Sequence, residues 1–307
     1  MQQSNFDPGF TQQVNGTLRR AIEKDGSFNV RRRGTTWRDI HPYLHLVSMP
    51  WPGFLAVLIL SFLVLNTLFA CGYYLLGANQ LHSELTRSAG GEFMSDFFFS
   101  AQTLTTVGYG SIWPRGIGAN ILSAFEAMCG LMSFALATSL LYGRVSRPSA
   151  RISYSANLAV APYLNGTSLQ FRVLNRRQNS ITDLEVTMLA MDVEGPPEAR
   201  KRTYKLLKLE RENVMFFPVS WTIVHPIDQD SPLFGKTAAD LERLQSEFLI
   251  LIKGYDDTFN QIVHSRCSYR YDEVVWGARF GPTFHINSDG DIILEVNKVS
   301  DLIRGAV

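Results

Sequence analysis

The sequence predicts two membrane-spanning helices with a re-entrant helix and loop between them, followed by a β-rich, water-facing domain. Three observations predict it. Leu46 to Gln80 contains no Asp, Glu, Lys or Arg, and within it the run Trp51 to Gly77 exceeds the roughly 20 apolar residues that cross a hydrocarbon core. A second apolar run, Ile117 to Tyr142, carries one formal charge, Glu126. Past Pro148 the charges become regular and short alternating runs are broken by Gly, Pro and Asn, the pattern of strands. The net charge of +1 over 307 residues averages these two halves and conceals the division.

The N-terminal segment, 1–36, comes first. After it the apolar residues Trp37, Ile40, Tyr43, Leu44 and Val47 recur at spacings of three and four, with Arg38, Asp39, His41 and His45 between them. Such a stripe over 37–48 predicts a helix lying in the membrane plane; a plain helix packed on the soluble part is the other reading. The pore part is expected over 49–148. Its outer span covers about 49–77, with Trp51, Tyr73 and Tyr74 at the ends where interfacial aromatics sit. A cleaved leader is not expected, because the run begins far from the N-terminus and no small-residue cleavage site succeeds it.

Between the spans, Glu92 to Leu104 is too short to cross a membrane and too apolar for an external loop, so a re-entrant helix is expected over about 93–104. Directly after that helix stands Thr106-Val107-Gly108-Tyr109-Gly110. Glycines here permit backbone angles that bulky residues resist, and an extended return would offer carbonyl oxygens, with the Thr106 hydroxyl, in place of an ion's water. Rings of carbonyls from four such loops make a potassium filter, which assigns K+ binding to Thr106, Val107, Gly108 and Tyr109. Val107 and Tyr109 are expected to point outward and pack the loop against its helix. One chain supplies a quarter of the ring, so a homotetramer is implied.

The inner span is expected over about 117–143. A carboxylate within a membrane defaults to a functional role, and Glu126, near the level of the filter's base, is read as support from behind, as is Thr105 at the head of the loop. Gly130 and Gly143 mark either a bend and a loosened end or sites of close packing. Arg31, Arg32, Arg33 and Arg38 precede the first span, and Arg144, Arg147 and Arg151 come after the second. By the positive-inside rule both termini are cytoplasmic. The same arginines are candidates for anionic lipid, including phosphoinositide, although topology alone would also require them.

These segments, with Gly143–Pro148 ("GRVSRP"), Ser220–Gly235 ("SWTIVHPIDQDSPLFG") and Ser265–Phe280 ("SRCSYRYDEVVWGARF"), stand in an order that resembles the prokaryotic branch of the inward-rectifier potassium channels from about Arg33 onward. The resemblance implies an immunoglobulin-like sandwich for 149–307 and a slide helix for 37–48. It implies an inner-pore position for Phe134, where strongly rectifying relatives carry an acid, and a cytoplasmic gate at Tyr142, whose other reading is interfacial anchoring. Gln102 falls where eukaryotic members brace the filter with a carboxylate. A loop narrowing the vestibule is implied at Phe259, Asn260, Gln261, Ile262, Val263 and His264.

Of the C-terminal runs only Ala238 to Phe248 reads helical; the rest predict an antiparallel sandwich. His225, His264 and His285 have no metal-ligand spacing and are read as structural. Neither GxGxxG nor GxxxxGK[ST] occurs, and passive conduction of K+ needs no cofactor, no enzyme activity and no nucleic acid partner. The opposing class is a membrane-anchored sensory or ligand-binding module that does not conduct.

Overall fold

Pro42 fixes where the first helix begins. In the computed structural model, helix α1 spans Pro42–Ser48. Proline suits the first helical turn but disfavours helical backbone in the residue before it, and His41 is extended at φ −89°, ψ 104°. Of the helix expected over 37–48, the described α-helical part is Pro42–Ser48; Asp39 lies in a 3-10 turn, and Trp37, Arg38 and Ile40 lie outside the described residues. The structure describes residues 8–10, 13–14, 19–34, 36, 39, 41–77, 80–83, 91–146, 150–177, 179–196 and 199–305. They divide into two compact units, Arg33–Arg147 and Met1–Arg32 with Pro148–Val307.

In the first unit α2 (Trp51–Leu76) starts at two prolines, Pro50 as its cap and Pro52 in its first turn, and ends at Gly77, whose φ of 102° closes the helix. Next along the chain are α3 (Gly91–Leu104) and α4 (Ile117–Val145). α2 and α4 are both long and apolar enough to cross a membrane, and side chains such as Ile59, Leu60, Leu68, Leu131 and Leu136 stand exposed along them. Exposed apolar surface of this extent suits hydrocarbon or the apolar surface of a partner chain. Where the three helices meet, Tyr73, Phe99 and Ala119 pack with Leu81 and Ile112. The last two lie on a short antiparallel pair, Leu81–Ser83 with Ile112–Pro114, which ties the end of α2 to the segment after the loop.

The second unit is a sandwich of two sheets. One runs in the order Gln13–Val14, Arg200–Leu207, Ile181–Glu194, Glu247–Asp256, Gln261–Arg270, with Asn213–Phe216 also on Ile181–Glu194; the other runs Ser220–Ile227, Gly166–Asn175, Leu158–Tyr163, Val274–Trp276, with Ile152–Tyr154 also on Gly166–Asn175. Val274–Trp276 lies parallel to Leu158–Tyr163, the one departure from the expected antiparallel pairing among these described strands. Period-two burial builds the core. Leu184, Val186, Met188 and Ala190 face Phe248, Ile250 and Ile252 in one sheet and Phe171, Val173 and Ile223 in the other. Each such large side chain contributes roughly 1.5–3 kcal/mol when fully buried. The helical run is shorter than expected: α5 covers Ala238–Arg243, opened by a capping box of Thr237 and Asp240, and Glu247 onward is strand.

The N-terminal segment completes this unit. The main-chain amide of Ala21 donates to both oxygens of Glu247 at 3.0 Å, and that of Ile22 to one at 3.5 Å. Ser268 Oγ donates to the Ile22 carbonyl at 2.6 Å, and the Lys24 ammonium sits 4.1 Å from the Tyr269 ring centroid. Arg20 pairs with Glu273. Burial raises the Glu247 carboxyl above its ordinary range, opposed by these donors and by Arg20.

Candidate functional site

The loop after α3 hangs on the last turn of that helix. Thr105 N donates to Ala101 O at 3.2 Å and Thr106 N to Thr103 O at 3.0 Å. The Gln102 carbonyl then accepts from both Val107 N, at 2.9 Å, and Gly108 N, at 3.3 Å. Gln102 thus supports the loop through its main chain. Thr105 adds its hydroxyl to the Ala101 carbonyl at 2.7 Å.

Three of the six residues from Thr105 to Gly110 have left-handed backbone, Thr106 at φ 59°, Gly108 at 51° and Gly110 at 80°. Glycine reaches that region without penalty, whereas a residue with a Cβ pays about 1–3 kcal/mol there, a strain that clusters at ligand sites. Val107 and Tyr109, expected to pack the loop against its helix, are 53% and 78% exposed in the single chain. The loop's main-chain bonds position it within the chain while its side chains remain uncovered.

Glu126 braces the helix that carries the loop. It is buried on α4, accepts from the Tyr73 hydroxyl of α2 at 2.6 Å, and hydrogen-bonds the Ser100 hydroxyl of α3. Ser100 also stands 3.1 Å from Asn66 Oδ1, while Asn66 Nδ2 donates to the Phe62 carbonyl at 2.7 Å. One carboxylate thereby joins all three helices. Its contact is with the middle of α3 and not with residues 106–110.

Phe134 and Tyr142, two turns apart on α4, are 74% and 73% exposed. Gly143 lies inside α4, which continues to Val145, so the helix does not loosen there. Two residues past Tyr142, Arg144 donates from its guanidinium to the carbonyls of Leu46 at 2.6 Å, Val47 at 3.1 Å and Met49 at 2.7 Å. Those carbonyls end α1, where a cation is favoured by the helix dipole. Arg31, Arg32, Arg33 and Arg151 are exposed. Arg38 and Arg147 lie outside the described residues.

The loop over 259–264 is smaller than the resemblance implies. Asp256 pairs with Gln261 in the ladder between Glu247–Asp256 and Gln261–Arg270, so Gln261, Ile262, Val263 and His264 belong to a strand. Only Asp257 to Asn260 turn. Asp256 Oδ1 accepts from Thr258 N and Phe259 N, and Asn260, at φ 56°, hydrogen-bonds Tyr255. His225 is buried between the Lys208 carbonyl, 2.6 Å from Nδ1, and Ser231 Oγ, 2.7 Å from Nε2. Burial holds its pKa below the ordinary histidine value.

Tyr73, Asn66 and Ser100, and the Arg144 carbonyl clamp, are functional candidates that sequence reasoning missed. Asn66 was the readable signal, a lone amide within an apolar span. The acceptors of Arg144 are backbone atoms and carry no residue signature.

Two membrane-length helices with a partial-length helix and a short loop between them have the architecture of an ion-channel pore, and residues 55–147 match the family described as "Ion channel". Residues 152–304 match the "Inward rectifier potassium channel C-terminal domain". The chain is 35% identical to "Inward rectifier potassium channel Kirbac3.1" of Paramagnetospirillum magnetotacticum over 93% of its own length and 96% of that protein's. It is 24% identical to human "ATP-sensitive inward rectifier potassium channel 11", covering 93% and 78%. A chicken "G protein-activated inward rectifier potassium channel 1" is 25% identical over 88% and 60%. The chain belongs to the inward-rectifier potassium channels. It is therefore a membrane channel for K+, its family identity implies no enzyme, and the non-conducting anchor has no support.

Proposed function

We propose that four copies assemble around one ion path, with Thr106, Val107, Gly108 and Tyr109 lining it through their main-chain oxygens and Gly110 closing the loop. The observation that carries this reading is the suspension of Val107 and Gly108 from one carbonyl, that of Gln102, next to left-handed backbone at Gly108 and Gly110. The exposure of Val107, Tyr109, Phe134 and Tyr142 in a single chain supports assembly, because aromatic and apolar surface lining an aqueous path needs partner subunits to enclose it.

Glu126 serves as a brace for the pore helix, Phe134 as an uncharged ring in the inner pore and Tyr142 as the gate at its mouth, since apolar constrictions can block ions by dewetting. The turn at Phe259 and Asn260, with Gln261 to His264 beside it, is the second constriction in the path. Residues 1–36 and 149–307 form the regulatory part, 37–48 a slide helix and 49–148 the pore. Segments from both flanks of the spans hydrogen-bond into one folded unit, which supports both termini on one side of the membrane. Positive residues make that side cytoplasmic, in a prokaryotic inner membrane.

Of the arginines expected to meet lipid, Arg144 is engaged by the carbonyls of Leu46, Val47 and Met49. Arg31, Arg32, Arg33, Arg38, Arg147 and Arg151 take anionic headgroups, phosphoinositide included, each worth roughly 1 kcal/mol near such a surface. No cofactor is needed. Tracer uptake of potassium and sodium into liposomes, by wild type and Tyr142→Ala, tests the reading. Potassium uptake well above sodium uptake is expected from both, with the basal rate higher in Tyr142→Ala. Equal uptake of the two ions by wild type would remove the filter assignment; an unchanged rate in tetrameric Tyr142→Ala would move the gate elsewhere.

A further inference from the structure

Gly130 is buried where α4 crosses the end of α3. A Cβ placed there would stand 2.1 Å from the Leu104 carbonyl oxygen, 2.9 Å from its carbon and 3.2 Å from its Cα. Carbon and oxygen approach one another at about 3.3–3.6 Å even in favourable C–H···O contacts. A methyl group would therefore drive the two helices apart by roughly 1 Å. No side-chain rotation can relieve this, because the obstructing atoms are main chain.

Leu104 is the last residue of α3, and its place in the helix is what gives the contact meaning. The carbonyls of Gln102 and Thr103, from which Thr106, Val107 and Gly108 hang, belong to the same turn. A displacement of that turn is transmitted to the loop through three hydrogen bonds. Binding constellations keep their function only while held within about 0.5 Å of the working geometry. The other glycines at helix contacts differ in kind: Gly72 meets a Leu122 methyl at 3.0 Å and Gly118 a Leu76 methyl at 3.3 Å, both at the ends of flexible side chains.

From this we infer that Gly130 is a positioning residue for the selectivity filter, setting the height of the loop by seating the Leu104 carbonyl directly on α4. The inference rests on the assignment of Thr106–Gly110 as the filter, and it makes selectivity, beyond total flux, depend on a residue in the middle of the inner helix. If Gly130 acted only as a bending point of α4, its substitution would change how often the pore opens and leave the ratio of ions passed unaltered.

The experiment compares wild type, Gly130→Ala and Gly72→Ala in liposomes, reading potassium and sodium tracer uptake together with tetramer size in detergent. The potassium-to-sodium ratio is expected to fall at least tenfold in Gly130→Ala and to stay at the wild-type value in Gly72→Ala. Should Gly130→Ala alone yield no tetramer, tagged Gly130→Ala subunits are co-assembled with excess wild type and single-tag tetramers are isolated; a lowered ratio is again expected. A wild-type ratio in either Gly130→Ala preparation overturns the inference, as does an equal fall in Gly72→Ala. A wild type without potassium preference removes the filter assignment, and the inference with it.

Discussion

The guanidinium of Arg144 lies 4.8 Å from the centroid of the Trp51 ring, with the Phe54 ring 4.5 Å away, so the end of the inner helix is gripped by the first turn of the outer one. Together with its three carbonyl acceptors this uses the planar shape of arginine as well as its charge. Arg144→Ala is expected to lower the unfolding free energy by about 2 kcal/mol or more, the scale of charge-assisted hydrogen bonds lost from a partly buried site. Arg144→Lys, which keeps the charge and loses the plane, should fall between. Denaturant unfolding in detergent measures both, and equal stability of the alanine variant and wild type would contradict the clamp.

Tyr43 of α1 and Gly143 of α4 meet beside the Arg144 clamp. A Cβ at Gly143 would meet the Tyr43 hydroxyl oxygen at 2.6 Å, the far end of a side chain that can move. Gly143→Ala should cost about 1–3 kcal/mol by overpacking, toward the lower end because the obstructing atom can move, and Tyr43→Phe should recover part of it. A double-mutant cycle on unfolding free energy, with basal flux measured in parallel, reads the coupling. Strict additivity would show that the two residues do not touch in the working protein.

How much of this was open to reading before the structure depends on where each partner lies. The spans and the Thr106–Gly110 loop declare themselves because they are local: composition over twenty residues, or a pentamer. Pro42 was also legible and limits α1 by its missing N–H, although the apolar stripe alone points to residue 37. Gly130 and Leu104, or Arg144 and the carbonyls of Leu46, Val47 and Met49, cannot be found by pattern. One partner in each is main chain, which every residue type supplies. The run from Gln261 reads as a strand by its own composition, while the resemblance places Gln261–His264 in a loop; the register with Glu247–Asp256, which comes from the opposite strand and not from the run itself, assigns them to the ladder.

Tyr73→Phe leaves Glu126 with Ser100 as its remaining hydroxyl partner of the two described. Removing one partner from a buried carboxyl costs about 1–3 kcal/mol, and the tetramer's melting temperature should fall accordingly. Glu126→Gln, which retains shape and can still bond both hydroxyls, should fall less than Glu126→Ala. A melting temperature for Tyr73→Phe equal to wild type would show that this hydrogen bond is not formed in the membrane.

His225 predicts a dependence of domain stability on pH. Burial lowers its folded-state pKa below the unfolded value, which is about 6.5. Between the two, the unfolded chain binds a proton that the folded one refuses, so stability falls as pH drops through that window and is fully present above it. Unfolding measured from pH 7.5 to 5 should show this loss in wild type and a flatter profile in His225→Gln. Parallel profiles would place the titration on another group.

The clasp between Ala21 and Glu247 also has a consequence for biosynthesis. Its partners are 226 positions apart, and at about 5–20 residues per second of synthesis the N-terminal segment waits on the order of 10–50 s for the carboxylate that will hold it. Both spans leave the ribosome in that interval. The water-facing unit therefore closes only after membrane insertion has been decided, and it closes by capturing a segment made before the first span. Because the entropy of closing a loop rises only with the logarithm of its length, the burden of this arrangement falls on time and exposure more than on final stability. A nascent chain released before Glu247 would carry an inserted pore with an unsatisfied N-terminal strap, a form that quality-control proteases could distinguish from the finished subunit.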